Sequence, residues 1–151
     1  MVGQCVIFFI AGYDTTANTL ACASYLLALY PEIQEKLFAE LKEVVKKTGS
    51  EFTYEAMQEM KYFDNVIAET LRLYPVTPRL ERVADVDLKL KEADITIPRD
   101  MIVTIPIYPL QRDPEIYPNP DVFDPDRDFA RTYFRDRYYK VFHEEPSEYL
   151  Q

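Results

Sequence analysis

Cysteine is scarce in this chain, with two among 151 residues. Cys5 and Cys22 lie in one apolar stretch. Seventeen helical residues at 1.5 Å each put them about 25 Å apart, too far to bridge. A disulfide framework is excluded, and a reduced, intracellular setting is the simpler assumption. Positive charge is also short: 17 Lys and Arg stand against 26 Asp and Glu, a net charge of −9. No basic stripe is available to neutralise phosphates, which argues against a nucleic-acid partner. Histidine occurs once, as His143 beside Glu144 and Glu145, and no further ligand is in view for a metal. Repeats and low-complexity tracts are absent. The first 31 residues contain a single charged side chain, Asp14.

What remains is ordinary globular material, 48% hydrophobic and 28% charged, long enough for one domain with a real core. Its focus is Ala11-Gly12-Tyr13-Asp14-Thr15-Thr16, set inside an apolar helical segment over residues 4–29. A lone carboxylate beside two hydroxyls is costly there unless paired or used. Gly12 costs about 1 kcal/mol of helix propensity relative to Ala, and it lets a neighbour approach the backbone or the helix open locally. Ile7, Ala11, Thr15 and Asn18 share one face, where small residues leave room for a flat ligand. Three structural readings stand beside this. The segment is a core helix whose threonines bond back to carbonyls one turn earlier, a membrane span of the required ~20 residues, or a signal peptide whose Ala21-Cys22-Ala23 imitates a cleavage site. Only Met1-Val2-Gly3-Gln4 precede it. A buried helix needs partners on every side, and this chain is short for supplying them.

Pro31 opens a second helix over 31–47, with Ile33, Leu37, Leu41 and Val44 as its apolar stripe and Gly49 at its end. No chemistry is visible on it. Thr53 caps a short helix over 54–60. Another follows over 63–74 and stops before Pro75. It carries Glu69 and Arg72, three apart on one face; in isolation this is a solvated pair worth a few tenths of a kcal/mol. Beyond Pro78 the period becomes two, in Val86–Leu90, Ile95–Ile97 and Met101–Ile107, with turns at Glu92-Ala93-Asp94 and Pro98-Arg99-Asp100. The fold class is therefore mainly α with a small antiparallel β-sheet. From Pro106 the chain is proline-rich and meanders over a surface, fixed by polar contacts; Tyr117 and Phe123 suggest packing. Residues 128–151 mix aromatics and charges without a period.

The order of these pieces resembles a cytochrome P450, the haem-thiolate monooxygenase family. It is most similar to the eukaryotic microsomal branch of drug- and steroid-oxidising enzymes. Ala-Gly-Xaa-Asp-Thr-Thr is followed by Pro-Glu opening a helix and by Glu69-Thr70-Leu71-Arg72-Leu73-Tyr74-Pro75. Then come Arg79-Leu80-Glu81-Arg82, a hairpin, Arg112-Asp113-Pro114-Glu115 and Asn119-Pro120-Asp121-Val122-Phe123-Asp124-Pro125-Asp126-Arg127. The resemblance implies a fragment of that fold, from the long distal helix to the Asp-Arg meander. Residues 1–127 would be a partial catalytic domain and 128–151 a divergent tail. It implies an oxidoreductase acting on paired donors with O2, inserting one oxygen atom into an apolar small molecule. Haem iron would be the cofactor, electrons would come from NADPH through a flavoprotein reductase, and the site of action would be the endoplasmic reticulum membrane.

By the same resemblance, Ala11 and Gly12 lie over the porphyrin, where a local widening makes the oxygen groove. Thr15 hydrogen-bonds the bound dioxygen or its water, and Asp14 relays protons. Arg82 bonds a haem propionate. Ile10, Val76, Thr77, Pro78 and Arg79 face substrate. Glu69, Arg72 and Arg127 form a buried structural triad. The departures are as definite. The family's Phe-Xaa-Xaa-Gly-Xaa-Arg-Xaa-Cys thiolate loop does not occur, Asp128 interrupts the Arg-Phe step, and Gln111 stands where histidine is frequent. No metal ligand is assigned. The expectation is an internal piece of a monooxygenase, as a truncated product, splice form or incomplete gene model. Alone it would be inactive and would expose apolar patches. The alternatives are a non-catalytic interaction, decoy or relic protein, and an independent small helical domain.

Overall fold

The computed structural model describes residues 2–49, 53–90 and 94–127, with Ile10 described in its backbone only. The readings placed on 128–151, His143 included, and on Glu92-Ala93 lie outside the described residues.

Among the described residues five helices and four strands follow one another. Helix α1 (Val2–Leu29) is unbroken, starting two residues before the expected 4 and ending at the expected 29, with Tyr30 between it and the proline that opens α2. By length and composition it could cross a membrane. Its C-terminal third packs against α2 and α4, with Ala23 and Leu26 buried. The rest is not the buried core helix that its composition suggests: Phe8 is 78% and Phe9 69% exposed, and Ile7, Tyr13 and Leu20 are exposed as well. Burial requires packed neighbours on each side, and the described residues place them only around the C-terminal turns.

Helix α2 (Pro31–Lys47) begins with Pro31 in its first turn and carries Lys46 and Lys47 in its last, matching the helix dipole. Gly49 follows at φ +66°, the left-handed closure that glycine takes without a Cβ penalty. Thr53 caps α3 (Tyr54–Gln58), its hydroxyl accepting the Ala56 N–H at 3.2 Å. Helix α4 (Lys61–Leu73) starts two residues before the expected position. Its N-cap residue, Met60, has no capping side chain. Glu40 of α2 acts instead, one carboxylate oxygen accepting from Tyr62 N at 2.8 Å and the other from Phe63 N at 2.9 Å. A cap supplied from 22 residues away extends the helix backward over residues 61 and 62.

The main core joins Leu26 of α1, Ile33 of α2, and Tyr62, Val66 and Leu73 of α4 to Phe123 of the proline-rich segment. Leu27, Tyr30 and Leu37 pack against it. Tyr30 and Phe123 meet at 5.6 Å between ring centroids. A smaller cluster of Val44, Ala56 and Met60, flanked by Leu41, seats α3. Each such side chain contributes about 1.5–3 kcal/mol when fully buried. The stripe expected on α2 is thus the face it turns inward.

The small sheet takes the form of two antiparallel ribbons, nested in chain order. Strand β1 (Leu80–Val83) pairs with β4 (Ile102–Ile105), Leu80 opposite Ile105 and Val83 opposite Ile102. Strand β2 (Leu88–Leu90) pairs with β3 (Ile95–Ile97). The period-two segments begin at Val86, with Arg79, Glu81 and Arg82 ahead of them unusually charged for a strand entry, so Leu80–Val83 as a strand is added by the structure. All four of its residues are exposed, so no buried face imposes alternation, and the backbone ladder alone defines the strand. Val86 precedes β2 and is not part of it. Pro106, which has no N–H to give a ladder, ends β4, and Ile107 belongs to the short helix α5 (Ile107–Leu110). The turn into β4 places Asp100 at φ +64° with Met101 N donating to Pro98 O.

Candidate functional site

The candidate residues fall in three places. The first is α1. Ala11, Gly12 and Asp14 are exposed and Thr15 is half-buried. The Thr15 hydroxyl donates to Ala11 O at 2.6 Å, and Thr19 repeats the pattern onto Thr15 O at 2.8 Å. A hydroxyl that returns to the carbonyl four residues earlier satisfies itself within a continuous helix, and α1 runs through Gly12 without a break. A Cβ added at Gly12 would meet nothing within 4 Å, so that flank is open. The Ile10 side chain lies outside the described residues.

The second place is the connection from α4 into β1. Val76, Thr77, Pro78 and Arg79 are exposed. Arg79 pairs with Glu81 at 3.1 Å. Arg82 is exposed and donates from Nη1 to Glu81 O at 2.8 Å. Among the described residues no hydrogen bond or ion pair joins Asp14 or Thr15 to Arg82 or to residues 76–79.

The third place is closed and dense. Glu69 and Arg72 sit on the inner face of α4, 2% and 3% exposed. A guanidinium has five N–H groups, and each of Arg72's finds an acceptor. Nε donates to Glu69 Oε2 at 2.8 Å and Nη2 to Glu69 Oε1 at 2.9 Å. Nη1 donates to the carbonyls of Gln111 at 2.8 Å and Pro120 at 2.7 Å, and Nη2 to that of Val122 at 3.2 Å. The Tyr117 ring covers the group at 5.2 Å. Arg127 brings its Nε to Glu69 Oε1 at 3.3 Å and bonds the carbonyls of Pro118, Asn119 and Val122. The Asp124 N–H also donates to Glu69 Oε1, at 3.2 Å.

This arrangement gives the proline-rich segment a physical meaning. Two arginines need carbonyl acceptors, and proline offers a carbonyl with no N–H to satisfy in return. Asn119 at φ +52° turns the chain so that neighbouring carbonyls converge. Its own carbonyl takes both Arg127 and Val122 N. With partners at each donor, two cations and one carboxylate are removed from water without an orphaned charge.

Two contributors have little mark in the sequence. Glu40 is one of several acidic residues on an amphipathic helix, and only the docking of α4 distinguishes it. Arg112 belongs to the Arg112-Asp113-Pro114-Glu115 string, yet no role is legible there. Its Nη2 donates to Leu73 O at 3.0 Å, and its Nη1 pairs with Asp121.

The described residues form a mainly helical unit with a buried carboxylate–diarginine knot and a long apolar helix, and the family comparison is direct. Residues 1–139 match the cytochrome P450 family model, and the chain belongs to that family. It is 44% identical over 130 residues to cytochrome P450 6B2 of Helicoverpa armigera, covering 86% of this chain and 26% of that protein. It is 44% identical over 127 residues to cytochrome P450 3A2 of Rattus norvegicus, covering 84% of this chain and 25% of that one. Probable cytochrome P450 6a13 of Drosophila melanogaster is 39% identical over 127 residues. The chain spans about a quarter of the length of the curated relatives it matches.

The family implies haem, and the donor set fits it on one side only. Gly12 and Ala11 leave one flank of α1 without side-chain bulk, as Gly3 does nearer its start, so nothing there opposes a flat ring. Neither cysteine offers a thiolate from a second side, since Cys5 and Cys22 both belong to α1, the helix that carries that flank. Among the described residues no group of three His, Cys, Asp or Glu gathers to hold a metal.

Proposed function

We propose that this stretch is the distal-helix-to-meander part of a haem-dependent monooxygenase that inserts one atom of O2 into apolar small molecules. Its electrons would come from NADPH through a flavoprotein reductase at the endoplasmic reticulum membrane. The observation that carries the reading is the knot of Glu69, Arg72 and Arg127. It locks the motif-bearing helix to the motif-bearing meander, and family membership supports it. When bound, haem supplies the oxygen chemistry; the residues here prepare its surroundings. Ala11 and Gly12 leave the space for the ring face. Thr15, whose hydroxyl now donates to the Ala11 carbonyl, would offer that hydroxyl toward the bound group, and Asp14, one residue away, would hold and pass on a proton. Arg82 is an exposed cation free to swing from Glu81 O to a propionate. Ile10, Val76, Thr77, Pro78 and Arg79 border the substrate.

The 151 residues taken alone are proposed not to turn over, because no cysteine stands in the setting of an axial ligand. Any role of the chain by itself would then be as an interaction or decoy species, and the exposed apolar length of α1 favours that second reading. The end of the family part is placed by motif at Arg127, with 128–151 a divergent tail, whereas the family match extends to 139.

Grafting residues 4–127 into a full-length relative tests the first reading. The graft is expected to give a thiolate-type CO difference spectrum and product, and Thr15→Ala is expected to slow product formation roughly 100-fold. A graft whose Thr15→Ala variant forms product at an unchanged rate overturns the assignment. For the second, the 151-residue chain with added haem and reductant is expected to show no thiolate-type Soret band; its appearance overturns the claim of inactivity.

A further inference from the structure

Helix α4 ends at Leu73 because Pro75 cannot continue it, and its last carbonyls need partners. Leu73 O is taken by Arg112 Nη2 at 3.0 Å. Five residues on, Pro78 O is taken by the Tyr108 backbone N–H at 3.1 Å. The two tethers come from one turn, α5 and the residues after it, in which Tyr108 and Arg112 are four apart. They are coupled to each other, the Arg112 guanidinium lying over the Tyr108 ring at 4.6 Å. The other arm of the guanidinium is held by Asp121 at 2.5 Å. Arg112 Nε is buried without a partner among the described residues, so the direction of the group is set by its two Nη atoms and by the ring. The Arg112 side chain is mostly buried, 24% exposed. Residues 76 and 77, between the tethers, are exposed.

We propose that Arg112 is a positioning residue that sets where the 74–78 segment lies relative to α4, and through it which position of a substrate is presented for oxidation. This rests on the reading of Val76–Arg79 as the substrate border. Movement of Arg112 frees Leu73 O and unseats Tyr108 together, so both ends of the segment shift at once. Arg112 touches neither substrate nor cofactor; it acts through the segment.

Amide hydrogen exchange on the 151-residue chain tests the tether without any catalysis. Arg112→Ala is expected to speed exchange at the Tyr108 amide tenfold or more and to leave the Asp124 amide, which donates to Glu69, unchanged. Arg112→Lys keeps a cation for Leu73 O but loses the fork and the stack, and an intermediate rate is expected. An unchanged Tyr108 amide in Arg112→Ala overturns the proposal, as does equal acceleration of Tyr108 and Asp124, which would mean general loosening. In the graft described above, made in a steroid-oxidising host with testosterone as probe, Arg112→Ala is expected to shift the ratio of hydroxylated products at least threefold with the thiolate-type spectrum intact. A fast Tyr108 amide with an unchanged product ratio overturns the substrate-border reading and with it the specificity role, while the tether itself stands on the exchange result.

Discussion

Glu69 accepts four hydrogen bonds, two from Arg72 and one each from Asp124 and Arg127. That number decides what its removal does. A buried pair adds little net stability against a well-packed apolar replacement, but removing one partner leaves a charge stranded and costs about 3–5 kcal/mol. Glu69→Ala strands Arg72 and loosens Arg127 at the same time. Urea titration is expected to show a loss at the upper end of that range, with Glu69→Gln losing less because one carbonyl acceptor survives. Tyr62 supplies a second test at this scale. Burial, followed by the nearby Asp126, Asp124, Glu32 and Glu40 carboxylates, pushes its hydroxyl up from 10.0 to about 12. The folded chain therefore keeps a proton that the unfolded chain releases. The stabilisation is full below pH 10 and is lost as pH rises toward 12. Denaturation midpoints at pH 9 and pH 11.5 should fall further in the parent than in Tyr62→Phe, and equal falls would contradict this account.

Among elements, α4 depends most on others. Its N-terminus is held by Glu40 of α2, its C-terminal carbonyl by Arg112 and its inner face by the meander. Replacing an N-cap acceptor by alanine costs about 0.5–2 kcal/mol. Glu40→Ala is expected to cost that much in thermal denaturation and to speed exchange at the Tyr62 and Phe63 amides. Retained protection at both amides would show that α4 starts there without the carboxylate. The ribbons have the opposite character. Each has two strands of three or four residues, mostly exposed, and such pairs are marginal by themselves.

At the scale of the whole molecule, one end is closed and the other open. Val2, Val6, Ile7, Phe8, Phe9 and Tyr13 lie on exposed turns of α1, with Phe9 and Tyr13 stacked at 5.5 Å between centroids. Exposed apolar side chains in this number favour association. The net charge of −9 lies elsewhere in the sequence, because Asp14 is the one charged side chain in the first 31 residues. Sedimentation of the chain is expected to show concentration-dependent association and strong binding of a hydrophobic dye. Phe8→Lys with Phe9→Ser should reduce both, and a chain that remains monomeric without dye binding would count against this picture.

Much of this protein was determined by local chemistry that needs no partner. Pro31, Gly49, Thr53 and Pro75 punctuate the helices through fixed φ, a left-handed closure, a side-chain cap and a steric stop. The stripe Ile33–Val44 identifies the inward face of α2 by period alone. The order of the motifs is sufficient for the family. Tertiary structure decided the rest. Glu69 and Arg72, a solvated pair by sequence spacing, became a buried knot only because the carbonyls of residues 111–122 converge on them. Glu40 and Arg112 gained their roles from chain that lies 22 and 39 residues away. β1 exists through its ladder with β4 and has no periodicity to announce it. α1, apolar enough to be buried throughout, is buried only at its C-terminal third. The physical reason is common to all four: a propensity belongs to a residue and its near neighbours, whereas burial and hydrogen-bond satisfaction belong to whatever the fold brings alongside.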